Sequence, residues 1–183
     1  MRYIGGVNEV TGKRSPLATA AHLLANVVEE SDRFIFAICG PLAIVRWLKP
    51  PKPEDLDRFA ELQRRIQKQH IRTCALFILG DDHDVLEPGV LDATDRIVAS
   101  FGDSVFAQAF VLVGTGFNSA ALREWIGKYQ NPSSGGWPTR SFASLEGACG
   151  WLARRPDQAA DLSGPRRLFQ AVAPSMGLGL PDA

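Results

Sequence analysis

The densest cluster of side chains with acid–base or metal-binding chemistry follows a continuous apolar run at residues 74–79. The cluster comprises Asp81, Asp82, His83 and Asp84, with Glu87 just beyond it. Carboxylates and waters are the ligands that hard divalent cations prefer, so this turn could contribute to a metal site. Side chains that are consecutive in sequence cannot all converge on one point, however, and no second acidic or histidine cluster stands out to complete the coordination. We therefore predict a solvated turn that binds no metal and forms part of a partner-binding surface.

A second candidate turn combines glycines with the start of a helix. Gly114, Thr115 and Gly116 follow the apolar run 109–113, and Asn118 lies where the next helix should begin. Backbone amides at a helix N-terminus bind anions such as phosphate. The turn lacks the third glycine of the dinucleotide fingerprint and the Gly-Lys-Ser/Thr of the P-loop, so the plainer interpretation is a tight turn capped by Thr115 or Asn118. Binding of a small ligand or nucleotide here is the alternative function.

Arrangements for nucleophilic catalysis are not found in the sequence. The GxSxG motif is absent, and His22, His70 and His83 have no acidic partner at a motif distance. A metal-dependent enzyme centred on residues 82–84 would need a distant acid or histidine that the fold brings close. We rank this class of protein below a partner-binding domain and a module that binds a small ligand or nucleotide. We predict a protein that is not an enzyme, with no catalytic residues and no cofactor.

Trp137 differs from the other three tryptophans, which occupy predicted strand or helix positions. It follows Gly135 and Gly136 and precedes Pro138, so it lies in a loop. Tryptophan is enriched at interfaces because its ring is apolar while its N–H is polar. Trp137 is therefore predicted to be exposed and to bind a partner.

The segments around these turns alternate between strands and amphipathic helices. The segment 39–41, which contains Gly40 and Pro41, favours a turn and separates two apolar runs. This pattern predicts a hairpin of strands at 34–38 and 42–47. Further strands are predicted at 74–79, 109–113 and 140–142, and helices at 17–30, 53–69, 88–101, 119–129, after Ser144 and around 166–172. In such a sheet, sites lie at the carboxyl ends of the strands, where both candidate turns occur. The sequence thus predicts an α/β fold with a mixed sheet of about four to six strands and helices packed around it.

Composition and charge limit the classes of partner. The 183 residues include 20 Lys and Arg and 20 Asp and Glu, so the chain lacks the overall basic charge typical of binding to nucleic acid or anionic membranes. Cys39, Cys74 and Cys149 are widely spaced among apolar neighbours, which predicts buried, reduced thiols. No apolar stretch reaches the roughly 18–20 residues of a membrane span, and no signal-peptide cleavage site follows the N-terminal apolar run. A cytoplasmic protein is predicted.

Five segments carry a resemblance to a known superfamily: residues 45–47, 53–56, 111–117, 120–123 and 142–152. Through them, the chain resembles the STAS superfamily of sulfate-transporter and anti-sigma-factor-antagonist domains, and more closely a bacterial branch of STAS-like domains. The resemblance runs from residue 32 to residue 155. It implies an N-terminal extension at 1–31, a STAS-like α/β domain at 32–156, and a partly disordered C-terminal extension at 157–183.

The resemblance implies regulated protein–protein contact in signalling rather than catalysis. In the antagonist proteins, a partner kinase phosphorylates a Ser or Thr at a helix start after the central strand. The matching segment here, 80–88, contains no Ser or Thr, so that switch is not expected at this site. Its acidic side chains could instead mimic a phosphorylated surface. The predicted partner is another protein, with self-association left open.

Overall fold

The computed structural model describes residues 25–70, 72–80, 87–113, 117–129, 137–155 and 164–178. Six strands lie within these ranges: β1 (Asn26–Glu30), β2 (Phe34–Cys39), β3 (Leu42–Trp47), β4 (Thr73–Leu79), β5 (Val105–Leu112) and β6 (Thr139–Phe142). The α-helices are α1 (Pro53–Gln67), α2 (Pro88–Phe101), α3 (Phe117–Tyr129), α4 (Leu145–Leu152) and α5 (Pro165–Ser175). A short 3₁₀ turn at Gly102–Ser104 connects α2 to β5.

The strands form one mixed sheet in which the spatial order is the chain order, from β1 to β6. β1, β2 and β3 pair antiparallel, whereas β3, β4, β5 and β6 pair parallel. The antiparallel part results from tight turns, and the parallel part from helical crossovers, which parallel neighbours require. This architecture confirms the predicted α/β fold with a mixed sheet and an N-terminal hairpin.

A two-residue turn closes the hairpin between β2 and β3. Cys39 pairs with Leu42, so that only Gly40 and Pro41 lie between the strands. Gly40 has a φ of +57°, which a glycine adopts without steric cost and which type II′ turns require at their first central position. Pro41 then supplies the negative φ of the second position. Gly40 and Pro41 therefore set the register in which β2 and β3 pair.

Different helices cover the two faces of the sheet. Strands that advance in one direction across a sheet and are joined by right-handed crossovers carry all their connecting helices on one face. The connecting helices α1, α2 and α3 accordingly pack into one buried cluster with alternate strand residues, such as Phe36 and Val45. α4 and α5 follow the last strand and cover the opposite face, where Leu168 and Met176 are fully buried. The central strands are thus buried on both faces, as the continuous apolar runs predict.

Ion pairs connect α1 to the first strands. The Arg58 guanidinium lies 2.7 Å from the carboxylate of Glu29 on the edge strand β1. Asp55, in the first turn of α1, accepts hydrogen bonds from Arg33 Nε and from the Lys52 backbone N–H, both at 2.8 Å. The second bond satisfies one of the unpaired amides at the start of the helix. These contacts fix where the helix begins relative to the hairpin.

Both ends of the described chain extend the domain beyond the predicted limits. The helix predicted over 17–30 is wrong for residues 26–30, which form β1 and pair with β2. Residues 1–24 lie outside the described residues. The helix predicted around 166–172 is present as α5, but it belongs to the buried core rather than to an extension. The α/β domain therefore includes parts of the segments 1–31 and 157–183 that the resemblance set apart.

Burial controls the chemistry of the cysteines. Cys39, Cys74 and Cys149 are all buried, and none forms a disulfide, as predicted. Exclusion of water disfavours the thiolate, which raises the pKa of Cys39 to about 11 and that of Cys149 to about 12. The same cause raises the pKa of Cys74. These thiols are core side chains rather than nucleophiles.

A membrane-spanning segment is not found in the described part of the chain, where every helix is too short or too polar to cross a bilayer.

Candidate functional site

The carboxyl ends of the parallel strands form an edge with exposed apolar side chains. Trp47, Leu79 and Leu112 lie side by side in register, so the residues that follow them meet at this edge. Leu48 and Val113 are 40% and 46% exposed there. The Val113 N–H donates to the carbonyl of Leu79 at 2.9 Å, which holds Val113 against the end of β4. We call this surface, formed by Leu48, Val113 and Glu87, the carboxyl edge.

Glu87 is the one acidic residue of the predicted partner surface that the structure describes. Its side chain is exposed directly before α2, and its carbonyl accepts the Val90 N–H at 2.9 Å, which begins the helix. Asp81, Asp82, His83 and Asp84 lie outside the described residues, as do Gly114, Thr115 and Gly116. Asn118 lies in the first turn of α3, but its side chain is outside the description. The described elements that flank the two turns in sequence are β4 and α2 for the first and β5 and α3 for the second.

Trp137 lies far from the carboxyl edge, near the amino end of β6. Its indole N–H donates to the carbonyl of Gly102, and its ring centroid is 6.3 Å from that of Phe101. The side chain is half-buried rather than freely exposed. The structure thus does not bring Trp137 together with Glu87, and it assigns the indole to a different feature, an internal cavity.

This cavity lies between the sheet and helices α1, α2 and α3, and its volume is about 60 Å³. Its floor includes Phe77 and Phe110, whose rings stack with centroids 4.7 Å apart. Phe59 and Trp125 flank that pair at 5.1 Å and 6.3 Å. The outer wall is α2, which contributes several half-buried side chains such as Ile97. The arrangement provides flat, apolar surfaces that suit a planar apolar group.

The described side chains that line this cavity, called the aromatic cavity below, include two glutamines and a threonine. Gln63, 1% exposed, donates from Nε2 to Thr73 Oγ1 at 2.7 Å. Gln108, on β5, donates from its amide to Thr139 Oγ1 at 2.8 Å, and Thr94 donates to the Val90 carbonyl at 2.9 Å. Gln63 Oε1 is buried without a hydrogen-bond partner among the described residues. An ionisable residue does not occur among the described side chains that line this space.

Sequence reasoning missed this cavity, although one signal for it was present. Leu56, Phe59, Gln63 and Ile66 follow the helical spacing of the buried face of α1, so Gln63 occupies a core position. A polar residue on such a stripe is expected to hydrogen-bond inside the protein. Gln108 was missed because the predicted strand began at residue 109, whereas β5 begins at Val105.

A cluster of three or more histidine, cysteine, aspartate or glutamate side chains that could hold a metal is not found among the described residues. Residues 81–84 lie outside the described residues, so the prediction that the acidic turn binds no metal stays a prediction.

No protein-family model matches the chain, and no curated protein matches it significantly. The fold places the described residues in the class of α/β domains with a mixed six-stranded sheet. The similarity to STAS-like domains stays a prediction.

Proposed function

We propose that this chain is a non-enzymatic, STAS-like interaction domain that binds another protein through the carboxyl edge. The observation that carries the proposal is the exposure of Leu48 and Val113 at the carboxyl ends of β3 and β5, the parallel strands on either side of β4. Contiguous apolar patches with a polar rim are typical of contacts with other proteins, and Leu48 and Val113 would form the apolar part of such a patch. In sheets of this kind, the strand ends are also where ligands and partners bind.

The charge around the carboxyl edge supports the same function. Glu87 is exposed at the start of α2, and the acidic sequence 81–84 precedes it in the same connection between β4 and α2. A basic rim on the partner would complement these carboxylates, which raises the association rate and aligns the two surfaces. The apolar pair would then supply the part of the interface from which water is excluded.

The experiment compares two single valine substitutions in proteins captured from the native cell. Val113→Asp introduces a charge into the carboxyl edge, whereas Val28→Asp introduces the same charge on the β1 edge strand, where Val28 is 52% exposed. We expect quantitative mass spectrometry to show proteins that wild type and Val28→Asp retain and that Val113→Asp loses at least ten-fold. Equal retention by both variants would contradict the proposal. Circular dichroism and melting curves check that both variants are folded.

Binding of a small ligand or nucleotide at the Gly114-Thr115-Gly116 turn is the competing function. α3 begins at Phe117, directly after this turn, so its first backbone amides lie where an anion could bind. A thermal-shift panel of nucleotides, cyclic dinucleotides and divalent ions tests this alternative. A ligand at 100 times its dissociation constant should add about 2.7 kcal/mol to the free energy of unfolding. A clear shift with a nucleotide would favour the ligand-binding module over the interaction domain.

A further inference from the structure

We propose that the aromatic cavity is a binding site for a small planar apolar molecule that carries one N–H or O–H group. In this site, the donor group bonds to Gln63 Oε1 while the apolar body lies against the aromatic floor. The cavity lies between the sheet and the helices, and Leu48, Val113 and Glu87 of the carboxyl edge do not line it, so the two proposals can be tested separately.

The first argument is the unpaired oxygen. A buried polar atom without a hydrogen bond is rare in folded proteins, and it costs about 1–3 kcal/mol. Gln63 cannot easily turn away to relieve this cost, because its Nε2 is already bonded to Thr73. Thr73 is itself fully buried, and its hydroxyl donates to the Ser104 carbonyl at 3.3 Å. The side chain is thus held in place with one acceptor left over, which is the arrangement of a preorganised recognition group.

A trapped water is the alternative partner for that acceptor. About 60 Å³ exceeds the roughly 10–15 Å³ that a water needs, but a buried water also needs two to four polar partners. The Thr94 hydroxyl donates to a backbone carbonyl and can still accept a hydrogen bond, and one amide hydrogen of Gln108 is bonded to Thr139. Most of the remaining surface is aromatic or aliphatic. An apolar body with a single donor satisfies both the oxygen and the walls.

The cavity is small, so a ligand with one ring is the largest that we expect it to bind, and only after some widening. A cavity of about 150 Å³ in another protein accepts benzene, so a void of about 60 Å³ must widen to hold a ring. The side chains that can move are on α2, where Ile97 and Val98 line the cavity and are half-buried. We therefore expect ring binding to displace these two side chains toward solvent while the floor stays fixed.

The test uses phenol and toluene, which have similar shapes and differ in the O–H donor. Both are titrated into the full chain while NMR follows the indole N–H signals of Trp47, Trp125 and Trp137, which line the cavity. Trp151 packs against Phe142 on the opposite face and serves as an internal control. We expect saturable shifts at the cavity tryptophans and no shift at Trp151.

The role of Gln63 is tested by comparing Gln63→Leu with Gln67→Leu. Gln67 lies one turn further along α1, donates to Ser104 Oγ at 2.8 Å and does not line the cavity. We expect the ratio of phenol affinity to toluene affinity to fall about ten-fold in Gln63→Leu, the effect of one lost hydrogen bond, and to stay unchanged in Gln67→Leu. Gln63→Met is a second variant if leucine does not fit the site.

Three results would overturn the proposal. They are the absence of saturable binding by either probe, an unchanged ratio in both Gln63 variants, and an equal fall in Gln67→Leu. A failure of the carboxyl-edge experiment would leave this test unaffected, because Val113 does not line the cavity.

Discussion

The Arg46 guanidinium, on β3 in the sheet, donates a hydrogen bond to the main-chain carbonyl of Met176, which lies 130 residues further along the chain and ends α5. Arg46 pairs in register with Ile35 and Ile78, both of which face the side of the sheet that α4 and α5 cover. A cation is favourable at a helix C-terminus, where unpaired carbonyls carry partial negative charge. Arg46 therefore connects the sheet to the last helix.

The substitution Arg46→Met tests this connection. It keeps most of the apolar stem of the side chain and removes the charged donor, so we expect the free energy of unfolding to fall by about 1.5–3 kcal/mol. Urea denaturation measures the change. Arg167→Met, an exposed position on α5, is the control and should change stability by less than about 0.5 kcal/mol. Equal effects of the two substitutions would show that the Arg46 contact does not stabilise the fold.

Two glycines should respond to alanine with opposite signs. Gly102 has a φ of +47°, and an added Cβ would meet no atom within 4 Å, so the cost of Gly102→Ala is backbone strain alone. We expect a loss of about 1–3 kcal/mol. Gly127 lies within α3 and also has open space around its Cβ, so Gly127→Ala should add about 0.5–1 kcal/mol by favouring the helix. Thermal melts of both variants test this pair, and a loss at Gly127 would contradict the assignment of α3.

Acid should weaken the ion pairs on the outer face of α1. Hydrogen bonds from Arg65 and then Arg58 lower the pKa of Glu61 below its ordinary value of 4.5. A carboxyl group with a lowered folded-state pKa stabilises the fold above the unfolded value, and this contribution is lost as pH falls through the folded value. We expect Glu61→Gln to flatten the decline of the melting temperature below pH 4.5, most clearly at low salt. Glu124→Gln, an exposed position on α3, is the control and should leave the decline unchanged.

The thiols should be unreactive in the folded protein. Burial raises the pKa of Cys39 to about 11, so almost no thiolate is present at pH 8. Cys74 and Cys149 are buried on the same face of the sheet. We expect a colorimetric disulfide reagent to modify the three thiols only as fast as the protein unfolds, and at once in concentrated guanidinium. A thiol that reacts rapidly without denaturant would contradict the described burial.

Local signals in the sequence predicted most of the elements. α2 has the predicted bounds because Pro88 starts it and Gly102, with its positive φ, ends it. Ser144 caps α4 by accepting the Gly147 N–H at 3.2 Å, as its position predicted. Such signals act within a few residues, so they can be recognised without knowledge of the fold.

The errors fall where distant partners decide the structure. Residues 26–30 carry apolar side chains that continue a helical spacing from residue 17, yet pairing with β2 makes them a strand. The aromatic cavity depends on how α1, α2 and α3 meet the sheet, which no local pattern encodes. Gln108 interrupts an apolar run, and only its bond to Thr139 on β6 explains its burial.

The identical order of the strands in space and in sequence has a consequence for biosynthesis. Each strand pairs with the one made just before it, so each connection that closes to extend the sheet is a turn or a single helical crossover. During translation, the hairpin of β2 and β3 can form first and serve as the template onto which β4, β5 and β6 add in turn. α4 and α5 emerge after the last strand and together cover one face of the sheet. Until then, that apolar face of the nascent sheet is available to chaperones.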